Sequence, residues 1–194
     1  MLDETELSIL EPFLSVERFE WADVVRFGDD LLGVADAPHA IESFRELLKG
    51  LAHRQGKPLV FRASRRCFSP EQCGALLKGL GDLDGARKGR NVFSSPLAGF
   101  IMAREENVFG GLIRWLRSVK RPVIMVFQGD VILPFLGIGL ACDYRIAAAD
   151  TIFHNQGREL DMPPGGGLLY LLPAYVGLGR ANSLVTRSTE TSAS

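Results

Sequence analysis

Net charge, cysteine and long apolar runs are all scarce in this chain, and each scarcity excludes something. Its 22 Lys and Arg nearly balance its 23 Asp and Glu, for a net charge of −1. The basic residues are scattered rather than striped, so nucleic acid is not an expected partner. The three cysteines, Cys67, Cys73 and Cys142, are too few and too irregularly spaced for a disulfide framework or a zinc site. They read as reduced thiols packed like small hydrophobes. A membrane-spanning helix needs ~20 apolar residues. The longest candidate, Val131–Ala141, has eleven and contains Pro134 and two glycines. No membrane association is expected. The opening MLDETELSIL is acidic, without the basic and apolar regions of a secretory signal, so the expected location is cytoplasmic.

What is present is an apolar fraction of 46% in 194 residues, enough for one ordinary core. Residues 1–20 read as an N-terminal arm or short helix, 21–184 as one domain and 185–194 as a disordered polar tail. Ala22–Phe27 and Leu31–Ala35 read as short strands around a Gly28-Asp29-Asp30 turn. Ile41, Phe44, Leu47, Leu48 and Leu51 recur at helical spacing and predict a helix over Ala40–Leu51. A strand at Leu59–Phe61 follows. Residues 79–95 read as a solvated loop, and apolar helical periodicity returns over 96–119. A second helix-to-strand passage then leads into Pro122–Phe127. This alternation predicts an α/β fold around a mostly parallel sheet.

The densest information lies in Lys120–Gly177, KRPVIMVFQGDVILPFLGIGLACDYRIAAADTIFHNQGRELDMPPGGGLLYLLPAYVG. A strand leads through a turn into a small-residue helix ending at Cys142-Asp143. A strand at Tyr144–Ala147, read as part of the core, follows. A glycine cluster, Gly165–Gly167, then opens another apolar helix. This segment resembles the core of the crotonase (enoyl-CoA hydratase/isomerase) superfamily. That family reads K-P-x-I-A-x-x-x-G, a glycine-rich turn, A-x-x-C-D-x-R-I-A-x-x-x-A-x-F, and P-G-x-G-x-x-x-L-P-x-x-V-G, and the frames match without a gap. The resemblance implies a spiral of ββα turns with a parallel core sheet. It also implies a coenzyme A thioester as substrate or ligand, no other cofactor, a place in fatty acid metabolism, and a homo-oligomer (trimer or hexamer) or a hetero-subunit.

The family polarises the thioester carbonyl with two backbone N–H groups and moves a proton with carboxylates. Carried over by register, the first donor falls at Gln72, in Cys67-Phe68-Ser69-Pro70-Glu71-Gln72-Cys73. The same residues also read as a helix start, with Ser69 as cap and Pro70 in the first turn. The second donor falls at Pro134, which has no N–H; Phe135 or Leu136 is the available substitute. The two glutamate positions are Gly137 and Gly157, so hydration by paired carboxylates is not expected. Glu159, Asp161 and His154 are the nearby replacements for an acid or base, and they also read as an ordinary solvated loop. Arg62, Arg65 and Arg66 are candidate contacts to coenzyme A phosphates, or simple surface charges. Phe68, Gly165 and Gly166 would line the pocket.

Two readings follow, and the sequence leaves open whether the chain is an enzyme. One is a divergent family member that binds an acyl-CoA or acyl-carrier thioester. It would act as an isomerase, decarboxylase or thioesterase through a relocated acid or base. The other is an inactive crotonase-fold pseudoenzyme that serves as a binding or assembly subunit.

Overall fold

The computed structural model describes residues 8–53, 56–79, 110–155, 165–187 and 190–194. A five-stranded sheet carries the core. Strand β1 (Leu14–Arg18) runs antiparallel to β2 (Asp23–Phe27). Strands β3 (Leu59–Ala63), β4 (Val123–Phe127) and β6 (Tyr144–Ala147) continue from β2 in parallel. The small second sheet consists of β5 (Asp130–Ile132), β7 (Ile152–His154) and β8 (Glu190–Ser192). Side chains alternate across a strand. Val25, Phe27, Phe61, Ala63, Val123, Met125 and Phe127 therefore face one way, and all are buried.

Helices cover that face. Helix α1 (Pro38–Ala52) places Phe44, Leu47, Leu48 and Leu51 in the core, as the periodicity of the sequence predicts. Helices α2 (Pro70–Gly79) and α3 (Gly111–Ser118) precede and follow residues outside the described set, which include most of the predicted loop. Helix α4 (Leu133–Ala141) is apolar on every side and buried, as a small-residue helix must be to sit inside a fold. Helix α5 (Leu168–Val176) packs on α4 and is followed by α6 (Leu178–Thr186).

Four segments differ from the sequence reading. Leu31–Asp36 is a 3-10 helix rather than a strand; its turn buries Leu31, Leu32 and Val34, and a short apolar run has no periodicity of its own to distinguish the two. The sheet begins at Leu14, inside the expected arm. The expected tail contains β8, which pairs antiparallel with β7, and Ala193 N–H donates to Thr151 O at 3.0 Å. Strand β6 is an exposed edge and not a core strand: Tyr144 and Ile146 are 62% and 55% accessible.

Candidate functional site

The loop after β3 and the amino end of α4 meet, as the resemblance implies. Ile132 N–H donates to Phe68 O at 2.9 Å, one residue before α4 begins. The space between them is filled. The rings of Phe68 and Phe135 stack at 4.4 Å with 21° between their planes, and both residues are buried. Phe127 packs against Phe68 at 6.3 Å and against Phe153 at 5.8 Å. This is a continuous aromatic core at the place where the resemblance implies a thioester pocket.

Of the two donors carried over by register, one is occupied and the other absent. Ser69 caps α2: Gln72 N–H donates to Ser69 Oγ at 3.3 Å and Cys73 N–H to Ser69 O at 3.1 Å. Gln72 is thus part of a helix cap rather than a carbonyl-binding donor. Pro134 sits in the first turn of α4, where helix geometry makes no use of an N–H.

Gly137, at the first glutamate position, shows why that carboxylate is missing. A Cβ on Gly137 would lie 1.7 Å from Gly166 O, and a Cβ on Gly166 would lie 1.9 Å from Pro134 O. The turn over Gly165–Gly167, with φ of +63° at Gly166 and +67° at Gly167, is therefore interlocked backbone to backbone with the first turns of α4. Gly166 acts as a packing element against that helix, and Gly165 O accepts from Leu168 N–H at 3.2 Å. The volume a glutamate at 137 would need is taken by the Gly166 carbonyl.

Of the three acid/base candidates, Glu159 and Asp161 lie outside the described residues, as does Gly157. His154 is held on both sides. Its Nε2 is 2.9 Å from Asp130 Oδ1 and its Nδ1 is 3.3 Å from Glu190 Oε1. With both ring nitrogens facing carboxylates, His154 ties β5, β7 and β8 together and has no nitrogen left for a substrate. His154→Ala is expected to speed amide hydrogen exchange over 190–193 by about fivefold, corresponding to ~1 kcal/mol for a partly exposed hydrogen-bonded contact. Unchanged exchange there would show that β8 is held by its backbone alone.

The three arginines separate. Arg65 is paired with Asp150, whose carboxyl it holds below its usual value, and Arg66 contacts Glu71 at 3.0 Å. Arg62 faces the opposite side of the sheet from Phe61 and Ala63 and lines a different cavity. Burial disfavours the thiolate at both buried cysteines: desolvation raises Cys142 to about 12 and Cys67 well above its usual value. All three cysteines are free.

Several fastenings were not anticipated from sequence. Asn155 Nδ2 donates to Val185 O at 2.6 Å and closes the last turn of α6. Asp143 Oδ2 accepts from Val123 N–H at 2.8 Å, so this motif aspartate secures the start of β4. Tyr175 OH donates to Leu140 O at 2.9 Å, and the Arg145 guanidinium lies 4.6 Å from its ring centre. Among the described residues no His/Cys/Asp/Glu group can hold a metal ion, and no helix is long and apolar enough to cross a membrane.

Sheet order, the α4 frame and the glycine turn define a crotonase-type fold. A probable enoyl-CoA hydratase/isomerase of Mycobacterium abscessus has the same fold, with a TM-score of 0.68 at 22% identity over 93% of this chain and 64% of that one. The crotonyl-CoA hydratase of Syntrophomonas wolfei is 32% identical over 89 residues, 44% of this chain and 34% of its own. A probable enoyl-CoA hydratase of Mycobacterium tuberculosis is 31% identical over 91 residues, 46% of this chain and 32% of its own. No protein-family profile matches. The chain thus has a crotonase-type fold, and its matched stretch is similar to curated enoyl-CoA hydratases. The matched stretch spans about a third of each of these curated relatives, 34% and 32%.

Proposed function

We propose that this chain is a catalytically inactive crotonase-fold protein that works as a binding or assembly subunit. One observation carries the reading: the Gly166 carbonyl occupies the volume that a carboxylate side chain at position 137 would require. The Phe68–Phe135 stack and the capped Gln72 N–H support it from the other side of the same space. An assembly role is supported by α5–α6. Helix α5 is apolar nearly all round; one face packs on α4, while Leu169, Tyr170 and Leu178 are 56%, 78% and 67% accessible. An apolar helix face left in water favours a protein partner.

A second reading has its own support. Both curated relatives are named as hydratases of CoA thioesters, which favours an acyl-CoA or acyl-carrier ligand, with Glu159 or Asp161 as a relocated acid or base. Two measurements on one preparation separate the readings: hydration of crotonyl-CoA, and calorimetric titration with acetyl-CoA, crotonyl-CoA and free CoA. The expected results are no turnover and no binding, with self-association or capture of a partner subunit in sedimentation. Turnover would overturn the proposal. Saturable binding of the thioesters would establish the second reading, and a stable monomer at micromolar concentration would count against homo-assembly.

A further inference from the structure

The sheet face turned away from the aromatic core carries a feature that the crotonase frame does not use. Arg26 and Arg62 stand directly opposite one another on β2 and β3. By the alternation of strand side chains they point away from Phe27 and Phe61. Two cations in register on neighbouring strands repel each other. Only one is compensated. Arg26 is forked onto Glu17, with Nε 2.5 Å from Oε1 and the terminal nitrogen 3.0 Å from Oε2. The Glu17 carboxyl is held below its usual value, first by that hydrogen bond and further by the charges of Arg26 and Arg62. Arg62 makes no hydrogen bond or ion pair among the described residues.

Both guanidinium groups line a cavity of about 340 Å³, within the range of small-molecule sites. It opens where Gly28, Ser64 and Gln128 follow the last residues of β2, β3 and β4. The carboxyl ends of parallel strands are where open α/β sheets take ligands. Glu11 and Ser15 also stand on its lining. The trio Glu17, Arg26 and Arg62 has one positive charge to spare. With Glu11 the four side chains sum to zero, so the attraction is local to Arg62 and a dianion is disfavoured. A planar guanidinium fork matches a carboxylate.

We propose that this cavity binds a small organic carboxylate, anchored by Arg62 beside a pre-positioned Arg26. The site is separate from the space between Phe68 and Phe135 and does not depend on whether that space is active. The test is an amide NMR titration with butyrate, at constant ionic strength, with chloride and inorganic phosphate as parallel arms. Saturable shifts at Gly28, Ser64 and Gln128 are expected with butyrate. Arg62→Gln is expected to weaken binding about tenfold or more, the loss of one charge-assisted hydrogen bond pair, and Arg62→Lys less. The spectrum itself reports whether each variant is folded. Shifts that do not saturate, that chloride reproduces, or that survive in Arg62→Gln would overturn the site. Preferential binding of phosphate would overturn the carboxylate assignment. Displacement by free CoA, with shifts at Phe68 and Phe135, would overturn its separateness.

Discussion

Gly137→Ala is expected to lose at least ~3 kcal/mol of folding stability, at the upper end of what overpacking causes. The added methyl would sit 1.7 Å from Gly166 O and 2.8 Å from Gly166 C, and both atoms are backbone. A flexible side chain could swing aside; a carbonyl in a turn with two positive-φ residues cannot. Nor can the turn retreat cheaply, because it starts α5, which packs on α4. Against a total of about 5–15 kcal/mol for an ordinary domain, this change alone takes the protein near its unfolding threshold. Gly179→Ala is the matched control. It lies inside α6 with nothing within 4 Å of the new methyl, so it should stabilise by roughly 0.5–1 kcal/mol through helix propensity. Urea midpoints for the two variants should therefore move in opposite directions. If Gly137→Ala proved as mild as its control, the turn would be pliable, the carboxylate volume could open, and the argument for inactivity would fall with it.

This interlock joins two facts that look separate in the sequence. Gly137 and Gly166 form one interlock, since a Cβ at either position would run into backbone of the other segment.

Much of the frame was legible because it is written in local rules. Pro38 and the spacing of Phe44, Leu47, Leu48 and Leu51 specify α1, and Ser69-Pro70 marks the start of α2. The Cys142-Asp143 and glycine-cluster positions fall where the resemblance puts them. What fills the site was not legible. Glycine at 137 tells a reader that a side chain is gone, but not that a carbonyl from residue 166 has taken its place. The Phe68–Phe135 stack joins segments on opposite sides of α3 and β4, and no periodicity links them. His154 looks like a base in sequence because its neighbours Asp130 and Glu190 come from two other strands. Strand β8 was missed for a related reason: Glu190–Ser192 is polar and acquires its structure from the edge of β7.

Asp23 and Arg121 are the largest case of such non-local information, and their removal is the second large expected effect. They are 98 residues apart and both nearly absent from the surface, with side-chain exposures of 2% and 3%. Both terminal nitrogens of Arg121 lie 3.0 Å from Asp23 Oδ2. The pair sits at the amino ends of the parallel strands, where each strand's first N–H is tied to its surroundings: Asp23 to Pro58 O, Leu59 to Pro122 O, Val123 to Asp143 Oδ2. Arg121→Ala or Asp23→Ala strands one charge in that interior, and each should cost about 3–5 kcal/mol. The double change Asp23→Leu with Arg121→Met replaces the charges by packed apolar groups and should recover most of that loss. The diagnostic quantity is the coupling between the two sites in a double-mutant cycle of urea unfolding energies. If the single losses simply add, the two residues act independently and the pair does not clamp β2 to β4. A strong coupling would instead show that this end of the sheet is fixed by a charge pair remote from the Phe68–Phe135 space and from Arg62.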